Sequence, residues 1–184
     1  MAHGRCPGKT KIRDAGIPFC VPESAEWNDR LTFVLDAIYS AYTTGWENLM
    51  ETTSTHHALA EDAITIGRTL VQLMPAEPEA RGLLALMLYC ESRSGARYAN
   101  DGEFVPLDKQ DTARWSQTMI DEAENHLLIA ASFKRIGRYQ LEANLASEHL
   151  YNMTYIGLKH PFRYVVRSAK KTAARQINSK NWPN

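Results

Sequence analysis

A chain of 184 residues that is 44% hydrophobic, with 21 basic and 21 acidic side chains, has apolar material for one sizeable core. A net charge of zero supplies no overall field for gripping nucleic acid. Cys6, Cys20 and Cys90 are odd in number, widely spaced and without a C-x-x-C pair, which argues against a disulfide framework or a zinc knuckle.

The charge is unevenly placed. Residues 1–20 carry four basic side chains against one acid, 21–133 seven against eighteen, and 134–184 ten against two, giving about +3, −11 and +8. The acidic middle repels nucleic acid; the basic tail either attracts it, lies against the acidic body or is solvated. No stretch is long and apolar enough to span a membrane, and Met1-Ala-His-Gly-Arg5 leads into polar residues. A cytoplasmic protein with no membrane partner is expected.

Residues 1–22 read as a basic linker leaving one domain and entering another. Lys9-Thr-Lys11-Ile-Arg13 is a helical remnant, Gly16 a stop, and Pro18 and Pro22 hold the chain extended. Ser24 caps a first helix with Leu31, Val34, Leu35, Ile38, Tyr39 and Tyr42 on one face, ended by Thr43-Thr44-Gly45-Trp46. A second runs from about His57 to Met74 with Leu59, Ala63, Ile66, Leu70 and Leu73 on one side. Pro75 and Pro78 then turn the corner into a helix that is apolar all round, Leu83 to Tyr89, and therefore central.

Gly95 and Asn100-Asp101-Gly102 break the pattern into a structured loop. A fourth helix is expected from about residue 112 to 134 with Trp115, Met119, Ile120, Ala123 and Leu127 inward. A fifth follows from Arg138 to about Tyr155 with Tyr139, Leu141, Leu145 and Leu150. Residues 162–177 form a sixth, basic helix with Val165, Val166 and Ala169 on one face. The fold class is all-α, with five to six helices in antiparallel, tetratricopeptide-like pairs. Residues 23–157 make the helical body and 158–184 a basic tail.

Little of the sequence speaks for catalysis. It contains no glycine-rich phosphate cradle, nucleophile elbow or triad spacing, and no cofactor is implied. His57 and Glu61 stand at i, i+4 without a third ligand, which is also the spacing of an ordinary solvated face. Asp101, Glu103, Asp108 and Asp111 place four carboxylates within eleven residues, but they lack the alternation and central glycine of a calcium loop. Capping and solvation account for them as well. The remaining candidate is a structural or ligand cluster of Glu91, Arg93, Asp101, Asp108, Asp111, Arg114 and Trp115. In it Glu91, Arg93 and Arg97 pair across the loop with Asp108 and Asp111. On these residues alone the chain reads as a helical interaction module, for which a stand-alone scaffold that binds a peptide in its concave face is one alternative.

Five collinear stretches carry a resemblance. They are Lys11-Ile-Arg-Asp-Ala-Gly-Ile-Pro-Phe19, Ala41-Tyr-Thr-Thr-Gly-Trp46, Glu77-Pro-Glu-Ala-Arg-Gly-Leu-Leu-Ala-Leu-Met-Leu88, Asp101 to Trp115, and Arg138-Tyr-Gln-Leu-Glu-Ala143. In this order and spacing residues 9–149 resemble the tetratricopeptide-like C-terminal extension of a group of extracytoplasmic-function RNA polymerase sigma factors. The resemblance implies upstream promoter-reading domains, of which Lys9 to Arg13 would be the last basic turn after a helix-turn-helix. It also implies contact with core RNA polymerase or with the sigma domains, and promoter DNA reached only through those other domains. Residues 151–171 match nothing in that pattern.

Overall fold

The computed structural model of the protein describes residues 26–47, 54–99 and 101–154. Among these residues there are five α-helices and no strand: α1 (Trp27–Glu47), α2 (Ser54–Leu73), α3 (Pro78–Glu91), α4 (Gln117–Ser132) and α5 (Arg138–Thr154). The fold is all-α, as the periodicities require. The basic linker 1–22, the sixth helix and the tail 158–184 lie outside the described residues, as does the side chain of His57.

The chain divides into two compact units at Val34 and Leu35, within α1. In the first, Arg30 and Glu26 form an exposed ion pair one turn apart at 3.3 Å. The second holds the rest of α1 and all the other helices.

Within this second unit α3 is the hub, packed most extensively against α4 and α5 and also against α2. Every residue from Gly82 to Tyr89 is buried. Burying each Leu or Met of such a run contributes about 1.5–3 kcal/mol, which is why a helix without a polar face takes the centre. Glu77 caps it, its carboxylate accepting the Glu79 N–H at 3.2 Å, and Pro78 sits in the first turn where its missing N–H costs nothing.

Three boundaries differ from expectation. First, α1 runs through Thr43 and Thr44, whose hydroxyls donate back to the Ser40 carbonyl at 3.1 and 2.8 Å, so these residues extend the helix to Glu47. Second, α2 begins at Ser54. Third, the helix expected from residue 112 is split into a 3₁₀ turn, Thr112–Arg114, and α4. Between them Trp115 is extended (φ −79°, ψ 141°), which lets the Ser116 N–H reach the Ser92 carbonyl at 2.8 Å.

Two helix faces keep part of their expected sets, Ala63 on α2 and Tyr139 and Leu150 on α5, and otherwise turn from the expected direction. Ala60, Ala63, Ile64, Gly67 and Val71 form the buried face of α2, leaving Ile66 and Leu73 exposed. On α5 the buried set is Tyr139, Gln140, Ala143, Asn144, Ser147 and Leu150, while Leu145 is exposed. Small residues such as Ala63, Gly67 and Ala143 share these faces with larger ones, and the helices approach closely at glycines. A Cβ on Gly82 would stand 2.6 Å from the Gln140 backbone nitrogen.

Candidate functional site

The loop after α3 returns on itself. Tyr98 and Phe104 face each other across an antiparallel bridge, their rings edge to face at 6.1 Å. Gly102, at φ +87°, supplies the left-handed turn between them, with its N–H on the Ala99 carbonyl at 3.0 Å. The Val105 N–H donates to the Arg97 carbonyl at 2.7 Å, and Ser116 to Ser92 completes the closure.

This closure divides the seven residues singled out in the sequence. Asp101, Asp108, Asp111 and Arg114 are exposed on the loop, whereas Glu91 and Trp115 are buried and Arg93 is half-buried. Asp101 accepts the Glu103 N–H and Asp111 the Ala113 N–H, both at 3.0 Å, so these two carboxylates serve turns. Among the described residues no ion pair joins Glu91, Arg93 or Arg97 to Asp108 or Asp111. Backbone hydrogen bonds hold the loop. No group of three or more His, Cys, Asp or Glu gathers among the described residues.

What the structure does assemble is a buried polar end to α3. Tyr42 donates its hydroxyl to Glu91 Oε2 at 3.4 Å, Arg97 donates to the Cys90 carbonyl at 3.3 Å, and Arg93 reaches the Cys90 thiol. Burial pushes the Tyr42 hydroxyl and the Cys90 thiol above their ordinary ranges, and the two arginines pull the thiol part of the way back. Burial lowers Arg97. Burial thus favours the protonated forms of Tyr42 and Cys90. Two donors, Arg93 Nε and the indole Nε1 of Trp115, are buried without a hydrogen-bond partner among the described residues. Tyr42 was legible only as an apolar-face residue; its hydroxyl partner lies 49 residues away.

Two further polar sets sit at the other end of α3. Glu79 accepts the N–H groups of Tyr139 and Gln140, the first residues of α5 after Arg138, at 3.0 and 3.2 Å. Tyr139 in turn donates to Asp36 at 2.6 Å and meets Tyr39 edge to face at 5.6 Å, tying α1 to α5. On the opposite flank Arg68 of α2 makes a two-pronged pair with Glu122 of α4, both bonds 2.8 Å. His126 stands beside it, touching Arg81.

Comparison with known proteins adds family membership without chemistry. A family described as a family of unknown function (DUF6596) matches residues 30–131, which spans most of α1 through α4. Uncharacterized protein R00370 of Rhizobium meliloti (strain 1021) is 37% identical over 141 residues, covering 77% of this chain and 33% of that protein. The match thus spans about a third of the relative's length. No solved structure matches.

Proposed function

The chain belongs to the DUF6596 family of unknown function, and we propose that it is the C-terminal interaction domain of an extracytoplasmic-function RNA polymerase sigma factor. It acts in transcription initiation, in the cytoplasm, through protein contacts with core polymerase or with the sigma domains that read the promoter. The observation that carries this reading is the use made of the sigma-like stretches. Glu77 to Leu88 and Arg138 to Ala143 meet through Glu79, Gly82 and Gln140, and Asp101 to Trp115 folds back onto Ser92. Stretches that resemble the sigma extension are thus the ones that build the framework around α3. The acidic surface left outside, including Asp62, Asp101, Asp108 and Asp121, suits a protein partner and disfavours the phosphate backbone. No catalytic role is assigned.

Retention of core RNA polymerase, or of a promoter-reading sigma fragment, on the immobilised full chain tests the reading at low and high salt. Retention that survives high salt is the expected result. Retention that vanishes with salt would mark charge attraction alone. No retention at either salt would instead favour a free-standing helical scaffold for peptides.

A further inference from the structure

The corner between α2 and α3 is held from outside by two arginines. Arg81 places Nε and Nη2 on the Pro75 carbonyl at 3.1 and 2.9 Å. Arg135, from the segment between α4 and α5, places Nη2 on the Ala76 carbonyl at 2.9 Å and on Glu77 at 3.3 Å. The third nitrogen of Arg81, Nη1, contacts His126 Nδ1 on α4 at 3.3 Å. A guanidinium has only N–H donors, so this contact requires a lone pair on Nδ1 and the proton on Nε2. That Nε2 stands 4.0 Å from Glu122 Oε1.

We propose that the Arg81–His126 contact is a pH-sensitive latch that ties the α2–α3 corner to α4 when the imidazole is neutral and lets go when it is protonated. A proton on Nδ1 replaces an acceptor by a donor facing a donor and puts a second cation against Arg81. The protonated ring keeps its Nε2 side toward Glu122, so the imidazole has somewhere to stay while the arginine arm is released. Arg135 continues to hold the corner, which loosens without detaching.

The surrounding charges favour the neutral form. The side chain of His126 is only 15% exposed. Arg81 on α3 and Arg68 on α2 both oppose its protonation, and Glu122 on its own helix favours it. The Glu122 carboxylate is already engaged by both prongs of Arg68, so its pull on the imidazole is blunted. Burial and the arginines together hold His126 below the usual imidazole range.

The test is a titration of the full chain by NMR of the histidine side chains, with His126 assigned by comparison with His126→Gln. It is joined by amide hydrogen-exchange protection at the corner, chiefly Glu77, whose N–H donates to Met74. Protection is measured at about pH 7.5 and at about one pH unit below the His126 midpoint that the titration finds, so that the ring is neutral at the first and protonated at the second. The expected result is a His126 midpoint below 6.5 and a several-fold loss of protection at the corner on acidification in the native chain, absent from His126→Gln. A midpoint at or above 6.5, unchanged protection, or an equal loss in both chains overturns the proposal. Should His126→Gln fail to fold, the native exchange data and a native titration assigned through bonds decide it.

Discussion

The carboxylate of Glu79, in the first turn of α3, lies across the open N-terminus of α5 and accepts the Tyr139 N–H at 3.0 Å. The first N–H groups of a helix have no partner inside it and are usually satisfied by a side chain from the preceding residue. Here that residue is Gly137, which has none, and a Cβ there would collide with the Glu79 carboxylate. One helix therefore caps another, and the glycine is the opening that admits the carboxylate.

Glu79→Ala removes an ionised acceptor from two backbone donors and from the Gln140 side chain. The expected loss is about 2 kcal/mol of unfolding free energy, measured by urea denaturation. Glu79→Gln keeps one acceptor oxygen and should lose less than the alanine variant.

Glycine to alanine inside a helix ordinarily stabilises by about 0.5–1 kcal/mol. Gly82→Ala should do the reverse, because the new Cβ meets the Gln140 backbone nitrogen at 2.6 Å, which cannot yield without moving α5. A destabilisation of about 1–3 kcal/mol is expected. Gly67→Ala is the control: its nearest neighbour, at 2.8 Å, is the flexible end of Met87, so its cost should be smaller. Thermal or urea unfolding of the two variants in parallel distinguishes them by rank.

Trp115 is buried, with 7% of its surface exposed, at the junction where the loop closes on α3. Trp115→Ala should cost about 3–5 kcal/mol. Trp115→Phe keeps most of the volume and removes an indole N–H that has no partner among the described residues, so it should cost under about 1.5 kcal/mol. Equal losses in the two unfolding curves would show that the indole nitrogen matters more than the packing.

The Arg68 hydrogen bonds hold the Glu122 carboxyl below its ordinary value of 4.5. A folded value lower than the unfolded one gives stability that is present above pH 4.5 and is lost as the pH falls through the folded value. The side chains are 42% and 32% exposed, so the pair should contribute less than about 1 kcal/mol. Glu122→Gln should flatten the acid limb of a stability–pH curve below about pH 4.5. An unchanged limb would show that this pair adds nothing to the acid sensitivity.

Periodicity and punctuation carried the secondary structure. The Pro75–Pro78 corner, the apolar run Leu83–Tyr89 and the break at Gly137 each mark a boundary by local stereochemistry, which needs no neighbours. The all-α class, the five described helices and the central place of α3 follow from that. Beyond this point side-chain type alone misleads. Ile66, Leu73 and Leu145 have the right spacing for a core, yet Gly67, Ala143 and Asn144 take inward positions. An inward face is chosen by how closely two backbones can approach, which depends on the partner helix.

The candidate site divides in the same way. Glu91, Arg93 and Trp115 were legible as charged or aromatic residues crowded at a helix end, and Asp111 as a cap. Their partners were not, because Tyr42, 49 residues before Glu91, and Glu79, 60 residues before Tyr139, are joined to them only by the fold. The sequence by itself determined helix type, helix order and the presence of a core, since these rest on local backbone preference and on the amount of apolar surface to be buried. Which small residue faces which helix, which carboxylate caps α5 and which histidine meets Arg81 were decided by tertiary structure alone. Hydrogen bonds and close packing act over a few ångströms, and only the folded chain brings those residues within that range.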